Sequence, residues 1–176
     1  MVIREGNLEF TFDDGISVIK FDNTQYYNAY TNCLDGGKGV DFLAFNNEYY
    51  TFIEVKDFLG SENDKNNILR LKTNCSETES LDVEVSKKVR SSLACLFGSH
   101  IKQNAELESF FKALKGKVND ANEFTPKVDI VLILEGNVEK MIAKKGMKQE
   151  KVIAFQNISR SIKKKLKWLT DRVSVE

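Results

Sequence analysis

Asp41 stands thirteen residues before the tripeptide Glu54-Val55-Lys56, within the stretch GVDFLAF-NNE-YYTFIEVKDF. Successive side chains on a strand point to opposite faces, so Glu54 and Lys56 share one. Two carboxylates and an ammonium converging on a sheet face meet the needs of metal-assisted phosphodiester cleavage. The acids hold a hard cation, Mg²⁺ or Mn²⁺. The lysine orients or deprotonates a water and steadies developing charge.

That chemistry sets a geometric condition. The stretch reads as two antiparallel strands joined by a short turn, and Asp41 shares a face with Glu54 only if paired residue numbers sum to an odd number. A two-residue loop at Asn46-Asn47 sets Asp41 opposite Phe52, diagonal to Glu54. A four-residue loop at 46–49 sets it directly opposite Glu54, at about 4.5–5.5 Å between side chains. A three-residue loop turns it to the wrong face. Glu54 and Lys56 interrupt an otherwise apolar strand, YYTFIEV, and Asp41 lies between Val40 and Phe42. Buried charge is costly unless paired or metal-bound. The competing explanation is a cross-strand Asp–Lys or Glu–Lys pair on a wet outer face, because E-x-K tripeptides are common.

The surrounding chain supplies the elements that position these groups. Leu8, Phe10 and Phe12 alternate with polar residues, then Asp13-Asp14-Gly15 precedes ISVIKF, which predicts a hairpin. Tyr26, Tyr27, Tyr30, Cys33 and Leu34 carry helical spacing over 22–34, with Asp22 or Asn23 as cap and DGGKG (35–39) as its end. Residues 57–80 are polar with little periodicity and read as a long loop. Val85, Val89, Leu93 and Leu96 predict a helix stopping near Gly98, and Leu107, Phe110, Phe111 and Leu114 a second one ending at Gly116. KVDIVLILE, after Pro126, reads as a buried central strand. One or two helices follow, the last over 157–169, and RVSVE closes as a strand. The order specifies a mixed α/β domain, expected to be single over residues 1–176.

Composition narrows the function classes. The chain is 41% apolar and 30% charged with one proline, which excludes a disordered polymer. It contains no apolar run of membrane-spanning length and no secretory leader, so a cytoplasmic location without membrane association is expected. Three scattered cysteines argue against a disulfide framework. The net charge is zero but unevenly spread: residues 140–167 hold ten basic side chains and a single acid, Glu150. That segment is either a phosphate-attracting face or a solvated helix surface.

The pairing of Asp41 with Glu54-Val55-Lys56, flanked by a helix on each side, resembles the PD-(D/E)xK, or restriction-endonuclease-like, nuclease superfamily. The resemblance covers roughly residues 20–135 and implies a mixed central sheet flanked by helices. It implies that Asp41, Glu54 and the Val55 carbonyl are metal ligands, with Lys56 positioning the attacking water. EVSKKVRSSLACLFG, from Glu84, resembles the helix beside that site, and offers Lys88 and Arg90 to the scissile phosphate. Val40 stands where the family has proline. Many members add an acid from the first helix, and here Asp22 is the nearby candidate, competing with its role as a cap.

Other chemistries find less support. His100 is the sole histidine, which excludes a histidine-based metal site; at a helix end it reads as an exposed cap. Cys95 and His100 fall on different helix faces, and no glycine cluster has phosphate-loop spacing. Tyr26, Tyr27 and Tyr30 fit core and rim better than a base-stacking platform. The expectation is therefore a Mg²⁺-dependent nuclease acting on DNA or RNA. The rival is a catalytically silent relative serving as a protein-interaction or nucleic-acid-binding module in a defence or toxin system. Without a separate recognition domain, strong sequence preference would require a homodimer or a protein partner.

Overall fold

The computed structural model describes residues 1–33, 37–73, 77–119, 122–124, 126–143 and 151–176. Strands β1 (Val2–Glu5) and β2 (Leu8–Thr11) form an antiparallel hairpin closed by Gly6, whose φ of +57° suits a residue without a side chain. β3 (Ser17–Lys20) follows, then a 3-10 turn at Phe21–Asn23 and α1 (Gln25–Cys33). β4 (Phe42–Phe45) and β5 (Tyr49–Asp57) carry the Asp41 and E-x-K region. Next come α2 (Lys65–Arg70), α3 (Leu81–Ile101), α4 (Glu108–Lys115) and a short β6–β7 ladder (Lys117–Asn119 with Asn122–Phe124). The chain closes with β8 (Lys127–Glu135), α5 (Val138–Ala143), α6 (Lys151–Leu166) and β9 (Val173–Val175).

The protein is α/β. Its mixed five-stranded sheet has the order β3-β4-β5-β8-β9, antiparallel from β3 to β5 and parallel from β5 to β9. KVDIVLILE is the interior strand its apolar run requires, and β9 is the closing strand. One sheet face buries Leu43, Tyr50, Phe52, Ile130 and Leu132 against Val85, Val89, Leu96, Ile158 and Ile162 of the helices. The other face buries Phe42, Ala44, Ile53 and Val55 beneath the β1–β2 hairpin, where the Phe10 ring lies 5.4 Å from that of Phe42. This two-sided cover explains why the middle of β5, Phe52 to Val55, is apolar on both faces except at Glu54.

Several sequence expectations need correction. β2 does not pair with β3. It pairs with β1, and β3 pairs with β4, because the alternating Leu8, Phe10 and Phe12 pack over Phe42 as a second layer instead of extending the sheet. Residues 57–80 are not one long loop: Asp64 caps α2 by accepting from the amides of Asn66 and Asn67. α1 is capped by Thr24, whose Oγ1 accepts from the Tyr27 amide, so neither Asp22 nor Asn23 caps it. α3 runs through Gly98 to Ile101, and the left-handed residue beyond its end is Gln103 (φ 54°). α6 begins and ends earlier than 157–169. The predicted end of the first helix at 35–36, Leu34, and the basic residues Lys144, Lys145 and Lys148 lie outside the described residues.

Candidate active site

The path from sequence to site begins at Gly39 and Val40. A Cβ at Gly39 would meet the Phe21 ring at 2.7 Å and the Tyr27 ring at 2.9 Å, so glycine lets the chain pass close beneath them. The Gly39 amide donates to the Tyr27 hydroxyl (2.8 Å) and the Val40 amide to Ser92 Oγ (3.0 Å), fixing the approach to β4. Asp41 bends at the strand entrance. Phe42 faces Ile53, yet the Asp41 amide also donates to the Ile53 carbonyl at 3.1 Å. Two residues set against one is the count of a β-bulge, a device that re-aims a side chain.

Phe45 pairs with Tyr50, the four-residue-loop case, but the register ends at Phe42 and the bulge, not the loop count, sets where the Asp41 side chain goes: its carboxylate lies beside the Val55 amide and the Lys88 ammonium that also binds Glu54. Asp41 Oδ2 accepts from the Val55 amide at 2.6 Å. In a strand, N–H and C=O of one residue point to the same edge, so the Val55 carbonyl is directed toward Asp41's side. Asp41 and Glu54 are both buried, at 8% and 0% exposure, which sets aside the wet-surface pair.

Glu54 Oε1 receives two ammonium groups, Lys56 Nζ at 2.6 Å and Lys88 Nζ at 2.6 Å. Its Oε2 is buried with no hydrogen-bond partner among the described residues. Lys88 descends from α3 and also lies 3.5 Å from Asp41 Oδ1. Lys56 Nζ is 2.8 Å from Glu84 Oε1, and Glu84 is held in turn by Arg70 of α2. The result is a chain of alternating charge running from Asp41 through Lys88, Glu54, Lys56 and Glu84 to Arg70.

Burial pushes the Glu54 carboxyl up to about 7, against the pull of Lys88 and Lys56. Burial also works against the Lys88 ammonium, but the Glu54 and Asp41 carboxylates outweigh it and hold its pKa above the ordinary lysine value. For Glu84, burial is outweighed by Lys56 and Arg70, and the carboxyl is held below its usual range.

Asp22 joins the site instead of capping a helix. Carboxylate oxygens of Glu5, Asp22 and Asp41 lie within 4.8 Å of one another. Burial, reinforced by the Glu5 carboxylate, raises Asp22 to about 6. Its Oδ1 is buried without a partner among the described residues, while Glu5 is answered by Lys20 at 2.7 Å. Among the described residues, the acids close enough to hold one ion together are Glu5, Asp22 and Asp41, an all-oxygen set that fits a hard divalent cation such as Mg²⁺ or Mn²⁺; Glu54 stands outside that group, its Oε1 taken by Lys56 and Lys88.

Of the residues singled out from sequence, the structure brings together Asp41, Glu54, Val55, Lys56, Asp22 and Lys88. It does not bring in Arg90, which is exposed on another face of α3. His100 is not a free cap: it lies inside α3, pairs with Glu108 at 3.1 Å and stacks on Phe111. Tyr27 is core, with Tyr26 and Tyr30 packed at its rim. Glu84, Arg70 and Glu5 were missed. Glu84 had a signal, since it sits four residues before Lys88 on the same helix face. Glu5 and Arg70 reach the site only through tertiary packing.

An α/β sheet with paired acids and lysines buried beneath one helix is the class that fold and site define. The chain belongs to a family of unknown function (DUF6661), whose model matches residues 24–176. No curated protein and no solved structure matches the chain. Among the described residues, no helix is long and apolar enough to cross a membrane.

Proposed function

We propose that this protein is a metal-dependent phosphodiester hydrolase, a nuclease of the restriction-endonuclease-like type. The observation that carries the proposal is the buried convergence of Asp41, Glu54 and Lys56, with Glu54 Oε2 left unpartnered among the described residues. A helix before β4, a helix packed over the site and the mixed sheet order support the same assignment. Asp41 and Asp22, with Glu5 beside them, would hold Mg²⁺ or Mn²⁺, and Glu54 and the Val55 carbonyl flank that position on the Asp41 side. When bound there, such an ion supplies Lewis-acid neutralisation of the phosphoryl oxygens.

The chain's own groups do the rest. Lys56, steadied between Glu54 and Glu84, orients the attacking water and stabilises charge developing on phosphorus oxygens. Lys88 offsets the buried negative charge of Asp41 and Glu54. Arg70 fixes Glu84 and so fixes the rotamer of Lys56. One observation favours the rival, a catalytically silent interaction module: the Lys88 ammonium already bridges the two principal acids, giving them the charge compensation a cation would provide.

The deciding experiment incubates linear and circular duplex DNA, single-stranded DNA and RNA with the protein in Mg²⁺ or Mn²⁺. Lys56→Ala and Glu54→Ala serve as controls. Cutting that requires metal and is lost in both variants is expected. A folded protein that cuts nothing and takes up no cation by calorimetry would leave the silent module standing.

A further inference from the structure

Away from the paired acids, α6 and the free edge of β9 enclose a groove of about 560 Å³, lined by Val152, Phe155, Gln156, Ser159, Arg160 and Lys163 of the helix. A second concavity of about 400 Å³ continues it around the sheet edge, sharing Lys163 and Ser174 and adding Arg172 and Asp129. The helical lining residues recur at spacings of three and four, so one continuous face of α6 forms the wall. Ser159 Oγ donates to the Val173 carbonyl at 2.9 Å and pins that wall to the strand.

The groove has a definite charge. α6 contains five basic residues and no acid. Lys165 is committed to the buried Asp82 of α3, at 2.7 Å. Arg160 and Lys163 have no carboxylate partner among the described residues. The acid lining the continuation, Asp129, is already neutralised by Arg172. What remains is a track of unneutralised cations, hydroxyls and an amide, with an aromatic ring at one end: the Phe155 face, over which the Lys151 ammonium sits at 5.3 Å.

The position is informative as well. Val175 pairs with Leu132, which pairs with Glu54, so the groove lies two strand spacings, about 10 Å, from the strand bearing the paired acids. β5, β8 and β9 are parallel, and the Val152–Val175 end of the groove opens at the same carboxyl ends where Lys56 stands.

We propose that the α6–β9 groove is a binding track for single-stranded nucleic acid, with Arg160 and Lys163 on backbone phosphates and a base taking the place of the Lys151 ammonium on the Phe155 face. The polyanion's identity rests on the nuclease reading, whereas the groove's place and charge do not. Cations that follow a backbone beside an aromatic ring are the usual means of holding single strands without sequence preference.

The test is fluorescence anisotropy of a labelled 20-nucleotide single strand, DNA and RNA in separate arms, in EDTA across a salt series. EDTA separates binding from cleavage, so failure of the nuclease reading leaves this measurement interpretable. Arg160→Gln/Lys163→Gln is expected to weaken binding by about tenfold or more and to flatten the log K against log salt slope by about 1.4, two phosphate contacts' worth. Phe155→Leu is expected to cost about tenfold with the salt slope unchanged. Lys102→Gln/Lys112→Gln, equal in charge on the α3–α4 face, is expected to bind as the native protein does, and thermal melts verify folding of each variant. Native-like binding by Arg160→Gln/Lys163→Gln would overturn the proposal, as would no binding by the native protein at low salt. Competition by polyglutamate or by duplex as effective as by single strand would reassign the groove, to an acidic protein partner or to duplex respectively.

Discussion

Replacing Glu54 with glutamine tests the electrostatics of the site directly, because the side chain keeps its shape and loses its charge. Glu54 is completely buried, and burial raises its carboxyl from the ordinary glutamate value of about 4.5 to about 7. A folded-state pKa above the unfolded one means that the native state binds more protons between these values, so stability falls as pH rises through that window. Two and a half pH units at 1.36 kcal/mol each is on the order of 3 kcal/mol, fully lost above pH about 7 and fully retained below about 4.5. Asp22, raised to about 6, adds a slope of the same sign, which Glu54→Gln leaves in place. Urea unfolding followed by circular dichroism, at intervals from pH 4.5 to 8, gives the two stability curves. The native curve is expected to fall relative to the Glu54→Gln curve by on the order of 3 kcal/mol across that range. Curves that stay parallel within about 0.5 kcal/mol would refute the assignment of burial as the dominant influence on Glu54.

The remaining predictions concern neighbours of that carboxylate. Lys88→Met should destabilise the protein by about 3–5 kcal/mol in chemical denaturation, because it strands Glu54 and Asp41 as buried, undercompensated acids. Adding Glu54→Leu to that variant should recover part of the loss. Gly39→Ala should cost about 1–3 kcal/mol in the same assay, since its methyl enters the space of Phe21 and Tyr27 and shifts the approach to Asp41. Asp22→Asn should weaken Mn²⁺ binding in calorimetry while leaving the thermal midpoint near that of the native protein; unchanged affinity would remove Asp22 from the donor set. Lys56→Ala should abolish metal-dependent cleavage and Arg90→Ala should leave it intact, because Arg90 is exposed outside the cluster.

Much of the framework was legible because it is local. The apolar run of KVDIVLILE sets β8 inside the sheet, and the alternation YYTFIEVKD puts Glu54 and Lys56 on one face of β5. The helical spacing of Val85, Val89 and Leu96 gives α3 its buried stripe. Loop parity gave the register of β4 on β5, but a bulge at Asp41, which no local pattern shows, aims its carboxylate at the Val55 amide. Misreadings arose where pairing depends on partners distant in sequence. The pattern of β2 suits a hairpin with β3 equally well, and only the Phe10 and Phe12 contacts with Phe42 select the layered arrangement.

By itself, then, the sequence determined which residues could do chemistry and the strand face on which the E-x-K pair must lie, since pleat and periodicity are properties of the local chain. Tertiary structure decided the rest of the site. It drew Lys88 from α3 between Asp41 and Glu54, brought Glu84 and Arg70 behind Lys56, and brought Glu5 from the first strand to Asp22. No local rule encodes these contacts. Their energies arise from removing charges from water, and that happens only when the sheet, the hairpin and α3 close over one another.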